Sequence, residues 1–266
     1  MLISVVWMIT GCDTVSETTS GPQGDWQLVW EDEFDGDANT PPNPEVWKHD
    51  VGGNGWGNNQ LEYNTDRTDN VRLTGEGQLE IVAQREEYEG NAYTSGRILT
   101  EGLWEGGYGR YEARIQVPQG QGVWPAFWML GADFETVGWP TCGEIDILEM
   151  RGDDPFIVHG TVHGPGYSGG EGVGGSYESG VSFAEGFHIF RVDIDPDHIS
   201  WYLDDEEFFT LRSGEVPEGA PWAFDGEYFL LLNVAVGGQF LDDPTEDTEF
   251  PVSMLVDYVR YYERIE

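Results

Sequence analysis

Along most of the chain, short stretches in which β-branched and aromatic side chains alternate with polar ones are separated by clusters of Gly, Asn and Asp. A two-residue alternation predicts strands with one buried and one solvated face. The stretches with this character are QLVWEDEF, VRLTGEGQLEIVAQR, GYGRYEARIQV, AFWML, EIDILEM, IVHGTVHG, FHIFRVDID, HISWYLDDEEFFTL, YFLLLNVAV and MLVDYVRYYERI. GEG within the second, and DPDH between FRVDI and ISWYL, predict hairpin turns, because Gly and Asp tolerate tight backbone angles. Repeats at a period of roughly 20–50 residues are absent from the sequence, which argues against a propeller or solenoid. The expected fold class is all-β, a meandering antiparallel β-sandwich.

Composition agrees. Aromatic residues make up 14% of the chain and 37 residues are Gly, a balance that favours many strands joined by turns over a helical fold. The 266 residues fit one large domain, since sandwiches reach roughly 200–250 residues undivided. The Gly-rich stretch 164–180 is expected to be a long mobile loop, and its GxGxxG-like fragments lack the following helix that phosphate binding requires.

The first 24 residues read differently. About nine mostly apolar residues, too few to span a bilayer, precede Ile9-Thr10-Gly11-Cys12 and a polar tract. This resembles the end of a bacterial lipoprotein signal, in which the cysteine is lipidated. The expectation is an exported chain, held to a membrane through Cys12 or secreted, with residues 13–24 as a flexible tether and residues 25–266 as the working domain. Cys142 is then a lone cysteine, expected to be a buried packing residue with no basic neighbour to activate it.

Charge narrows the partners. A net charge of −38 repels nucleic acid and anionic membrane surfaces, so a neutral ligand is expected. Lys48 is the only lysine, against eleven arginines and fifty acids, a skew expected of a protein adapted to high salt, where self-repulsion is screened.

The candidate chemistry lies in GEIDILEM, residues 143–150. Strict alternation puts Glu144 and Asp146 on one face and Glu149 on the other. A single β-bulge at Ile147-Leu148 would return Glu149 to the face of the other two. Unpaired carboxylates beside Ile145, Ile147, Leu148 and Met150 cost several kcal/mol, so a reaction must use them. Double-displacement glycoside hydrolysis needs two carboxyl groups roughly 5–5.5 Å apart, one to attack the anomeric carbon and one to protonate the leaving oxygen. Asp146 would orient Glu144, and negative neighbours would keep Glu149 protonated until the nucleophile is consumed. Trp124 and Trp128 alternate along one strand and share a face, where indole planes suit pyranose rings. Trp30, Trp47 and Trp201 are expected in packing, and His159, His188 and His198 in structural roles.

These stretches, with GWGNNQLEYNT (55–65), YTSGRILTEG (93–102), YGRYEARIQVPQGQGVWPAFWMLG (108–131), WPTCGEIDILEM (139–150), GTVHG (160–164), LLNVAVGG (231–238) and VDYVRYYE (256–263), resemble a family 16 glycoside hydrolase of the laminarinase type. The resemblance runs from about residue 26 to the end. It implies a jelly-roll sandwich whose concave sheet holds a β-glucan, with endo cleavage of β-1,3 linkages and retention of configuration. It implies Glu144 as nucleophile, Asp146 as assisting acid and Glu149 as acid/base. Asn58, Arg97 and Asn233 match positions that hydrogen-bond sugar hydroxyls, His163 lies near the cleavage point, and Trp124, Trp128 and Trp139 are cleft candidates. Many members also hold a structural calcium, here matching Glu33 and Gly77 by main-chain oxygen and Asp257 by side chain; no cofactor is implied for catalysis, and a monomer is expected. One departure stands out: where relatives have GGNW, this chain has Gly237-Gly238-Gln239-Phe240. Hydrolysis of mixed-linkage glucan or algal galactan, transglycosylation, and non-catalytic glucan binding remain the alternatives.

Overall fold

The computed structural model describes residues 18–21 and 24–265, with side chains described from residue 26. Cys12 and the apolar segment before it lie outside the described residues. Two sheets face one another. One runs in the order Val173–Glu178, Ile157–His163, Glu144–Glu149, Val123–Gly131, Tyr228–Val236, Arg97–Leu99, Lys48–His49. The other orders Thr18–Gly21, Gly24–Asp32, Val252–Arg264, Gly109–Gln116, His188–Asp195, His198–Leu203, Glu206–Arg212, with the hairpin Val71–Leu73 and Leu79–Ala83 joined to Val252–Arg264. The pairings are antiparallel in both, and a small parallel pair, Glu62–Asn64 with Tyr93–Ser95, lies beside them. The expected all-β sandwich is the fold.

Alternation sets what each face does. In Tyr228–Val236, the residues Tyr228, Leu230, Leu232, Val234 and Val236 belong to the core between the sheets. Phe229 and Leu231 point the other way, into a smaller apolar cluster with Leu99, Leu130 and Cys142. Asn233 shares that outer face. The core continues through Val123, Phe127, Met129, Ile145, Val162 and, from the opposite sheet, Tyr111, Val192, Trp201 and Val259. Cys142 is buried and free, and burial pushes its thiol up to about 11, as expected of a packing residue.

Three expectations need correction. HISWYLDDEEFFTL is two strands, not one: it folds back at Asp204-Asp205, where Asp204 adopts φ 52°, a left-handed conformation that Asp tolerates. The 164–180 stretch is not a plain loop. It carries the edge strand Val173–Glu178, paired with Ile157–His163, and its Tyr167 is fully buried with the hydroxyl on Pro221 O at 2.9 Å. Glycine there permits close packing rather than disorder, because a Cβ on Gly174 would stand 2.3 Å from Gly160 O. The expected tether also ends early, since Thr18–Gly21 pairs with Gly24–Asp32 through main-chain groups.

Candidate active site

The strand Glu144–Glu149 carries one residue too many for its neighbours. Asp146 pairs with Thr161 and Glu149 with His159, so three steps on one strand face two on the other. On the other side, Phe127 pairs with Leu148 and Trp128 with Asp146, leaving Ile147 as the surplus residue. Ile147 and Leu148 both turn into the core, at 1% and 0% exposure, and the next residue comes back to the outer face. Rows then run across the sheet. Arg97, Asn233, Ala126, Glu149 and His159 form one; Leu99, Leu231, Trp128, Asp146 and Thr161 the next; Leu130, Glu144 and His163 the third. The three acids share one face, as the bulge at Ile147-Leu148 predicts.

The bulge also turns the carbonyl of Asp146 inward, where Trp201 Nε1 of the opposite sheet donates to it at 2.8 Å. A Cβ on Gly160 would stand 2.4 Å from Trp201 Cδ1, so the glycine makes room for this indole. On the outer face, His163 Nε2 lies 3.2 Å from Asp146 Oδ2, and Glu144, Asp146 and His163 each offer an atom within 4.8 Å of the others. The indole N–H of Trp139 donates to Glu144 Oε2 from the open side, where Trp139 is 46% exposed.

Burial dominates the proton affinities here. Glu144 is pushed up to about 8 by burial first and by the Asp146 charge second, against the pull of His163, Trp139 and Arg97. Asp146 rises to about 7 through burial, opposed by its contact with Glu144. Glu149 is held well above the usual carboxylate range, again by burial and then by Asp146 and Glu144. The sequence suggested charge repulsion as the cause of a protonated Glu149; desolvation is the larger one.

Next to the acids, the Arg97 guanidinium sits 4.8 Å from the ring centres of both Trp56 and Trp128, with Nε 3.0 Å from Asp50 Oδ2. Trp128 Nε1 donates to Asn233 Oδ1 at 2.7 Å, which leaves the Asn233 NH2 group as the donor toward the open face. Asn58 lies exposed on the neighbouring loop, whose carbonyl accepts from Gln239 N at 2.8 Å. Trp124 is buried beside Glu149 at the other margin, under Phe240. The candidates named from the sequence therefore gather on or beside one sheet face. Asp50, Trp56 and Glu62 join them here with no sequence signal of their own as site residues, although GWGNNQLEY holds two of them. Glu62 is fully buried, accepts Val236 N–H at 2.8 Å, and is pushed up to about 7 by burial. Trp30, Trp47 and Trp201 pack as expected, Trp30 stacking on Trp104 at 4.3 Å.

Away from this face, Gly77 lies beside Glu33, and Asp257 falls on Val252–Arg264 between Val256, which pairs with Leu79, and Val259, which pairs with Asp32. Asp257 is the irregular position between Val256 and Tyr258, and it gives one carboxylate oxygen to Arg114 Nη1 at 2.6 Å. A Cβ on Gly77 would lie 3.9 Å from Glu33 O and 3.6 Å from Asp35 Oδ1. A set made of oxygen donors alone fits a hard cation.

Residues 55–229 match the sequence model of Glycosyl hydrolases family 16. The chain is similar to a beta-glucanase from Rhodothermus marinus, 41% identical over 270 residues that cover 97% of this chain and 93% of that protein. Among solved structures, it resembles the laminarinase catalytic domain from Thermotoga maritima MSB8, with a TM-score of 0.85, 45% identity and coverage of 91% of this chain and 99% of that one. It also resembles the endo-beta-1,3-glucanase from Pyrococcus furiosus, with a TM-score of 0.88, 41% identity and coverage of 95% and 100%.

Proposed function

As this chain belongs to glycosyl hydrolases family 16, we propose that it is an endo-acting, retaining β-1,3-glucanase that cleaves laminarin-like β-glucans by double displacement. The observation that carries this is the bulge at Ile147-Leu148, which places Glu144, Asp146 and Glu149 on one open face beside Arg97, Asn233 and Trp128.

In the first step the Glu144 carboxylate attacks the anomeric carbon while Glu149 gives its proton to the departing glycosidic oxygen. Burial and the Asp146 and Glu144 charges favour the protonated Glu149, while His163, Trp139 and Arg97 pull Glu144 toward its ionised form, the pairing that a donor and a nucleophile need. His163 and Trp139 favour the ionised Glu144, and Asp146, packed between Glu144 and His163, fixes the orientation of the attacking oxygen. Glycosylation erases the Glu144 charge. Glu149 then loses part of what raised its proton affinity and accepts a proton from the incoming water. Asn58, Arg97 and Asn233 hydrogen-bond the sugars on the glycone side, with Trp124, Trp128 and Trp139 supplying apolar surface. Arg97 is pre-set by two indoles and Asp50, so it loses little freedom on binding.

Calcium at Glu33 O, Gly77 O and Asp257 would brace the sandwich and supply nothing to the chemistry. Export with lipidation of Cys12 rests on the Ile9–Cys12 pattern alone, and adaptation to high salt on the charge of −38. Radiolabelled palmitate incorporated by the wild type and not by Cys12→Ala would establish the anchor.

The decisive test is digestion of laminarin, lichenan, agarose and carrageenan, with product analysis. The expected result is internal cleavage of laminarin by the wild type and loss of release in Glu144→Ser. Equal, near-zero release from both proteins would mark a glucan-binding protein instead.

A further inference from the structure

Trp124 is only 8% exposed, and its indole N–H is turned toward Glu149 without a well-formed hydrogen bond to any described residue. Buried donors are almost always paired, so one that is not asks for a partner that comes and goes. Trp124 precedes Ala126 on the strand whose Ala126 pairs with Glu149, and the indole is close enough to Glu149 to favour its ionised form. While Glu149 is protonated, its hydroxyl competes for that space as a donor; once the proton leaves, both oxygens are acceptors.

What holds the indole is unusual in this chain. Gly237 and Gly238 have φ of 65° and 110°, which only glycine adopts readily, and they turn the backbone sharply after Val236. Gly237 N donates to Gly122 O at 2.8 Å and Gln239 N to Asn58 O at 2.8 Å, which fixes both sides of the turn. Phe240 is thereby laid over the sheet. Its ring centre lies 5.0 Å from Trp124 and 5.5 Å from His159, edge-on at 87°, and the Arg151 guanidinium is 4.7 Å away. These three partners come from the strand before Glu149, the strand after it and the segment that follows it, so Phe240 clamps the surroundings of Glu149 from three directions.

We propose that Trp124, pinned by Phe240, is a positioning residue for the acid/base: its N–H, already turned toward Glu149, completes a hydrogen bond to the Glu149 carboxylate created when the leaving group takes the proton. No bond to Trp124 itself is made or broken. The O–H bond of Glu149 breaks as the O–H bond of the departing sugar forms, and the carboxylate left behind is met by a donor already in place, with no water needed. Glu149 is otherwise faced by acids on its own strand, Glu144 and Asp146, and by His159 and His163 across the pairing, with Arg151 reaching His159 and Phe240. The inference rests on the assignment of Glu149 as acid/base.

The experiment uses the full chain labelled with 15N-tryptophan, with the Trp124 indole signal identified by its through-space contact with the Phe240 ring. In correlation spectra from about pH 5 to about pH 10, that signal should titrate with the midpoint of the alkaline limb of kcat/KM, and should stand still in Glu149→Gln. Trp124→Phe, which keeps a ring and removes the donor, should move the alkaline limb upward by about half a unit, or roughly threefold in the proton dissociation constant. In Phe240→Ala the titration shift should shrink. A Trp124 signal that stays static across the limb overturns the proposal, as does Trp124→Phe with its limb in place; an undiminished shift in Phe240→Ala overturns the clamp. Failure of the underlying assignment looks different: Glu149→Gln would then keep wild-type activity.

Discussion

The indole nitrogen of Trp201 and the main-chain oxygen of Asp146 are joined at 2.8 Å through the sandwich core, so the sheet behind the site holds the bulge that shapes it. Trp201→Phe keeps an aromatic ring and leaves that carbonyl unpaired. The expected cost is about 1–3 kcal/mol of stability. Because the bulge sets where Glu149 points, kcat should fall by more than about tenfold with little change in KM. Chemical denaturation and steady-state kinetics on laminarin check both. Gly160→Ala, which drives a methyl group toward the same indole, should act in the same direction.

Asp146 raises the proton affinity of both Glu144 and Glu149 through its charge. Asp146→Asn removes that charge and should move both limbs of the kcat/KM profile to lower pH. The rate at the optimum should drop by about tenfold or more, because the support of Glu144 is lost with it. A profile that narrows from one side only would refute the shared influence.

Glu62 gives a stability prediction with a definite sign. Its folded carboxyl is pushed up to about 7 from an ordinary value of 4.5, so its contribution is fully present below about pH 4.5 and is lost as pH rises through about 7. That is of the order of 3 kcal/mol. Glu62→Gln keeps an acceptor for Val236 N–H and cannot ionise, so its unfolding free energy should be flatter than the wild type's between those two pH values.

Calcium at the Glu33, Gly77 and Asp257 cluster should stabilise the folded chain by mass action, about 3 kcal/mol at a hundredfold excess over Kd. Stripping with a chelator should lower Tm by several degrees, at roughly 2–4 °C per kcal/mol for a domain of this size. Readdition should restore it, Asp257→Asn should abolish the response, and kcat should be unaffected throughout. A Tm indifferent to both chelator and metal removes the site.

Salt should stabilise the protein. The few basic side chains are largely committed to local ion pairs, including Lys48 with Glu101, Arg72 with Glu80, Arg110 with Asp193 and Arg264 with Asp195, so the surplus acids repel one another unrelieved. Raising salt to about 1 M shortens the screening length to about 3 Å. Tm should climb between low and molar sodium chloride, and an unchanged or falling Tm would count against adaptation to high salt.

Much of this was legible in the sequence because alternation is a local signal. The hairpin through Gly75-Glu76-Gly77, the strand about Trp124 and Trp128, and the bulge between Asp146 and Glu149 are all consequences of short-range pattern. What escaped depends on partners distant in sequence. Val173–Glu178 looks like a loop until Gly160 and Phe209 are seen to leave room for nothing larger than glycine at Gly174 and Gly175. Trp201 reads as packing because no local pattern links it to a carbonyl 55 residues earlier. Glu62 sits among polar neighbours in the sequence, and its burial follows only from the strand end at Val236. Phe240 was visible only as a departure from the family's pattern, and its contacts with Trp124, His159 and Arg151 required the turn at Gly237 to be placed.

The surplus residue in the catalytic strand has an evolutionary consequence. A version of the chain lacking Ile147 would set its acids at even intervals, and plain alternation alone would keep them together. Two ancestries can thus arrive at one reactive centre, one with a flat strand and one with a kinked strand. Passing from the kinked to the flat design strands the Trp201 nitrogen and empties the hollow over Gly160, so shortening must travel with changes at both.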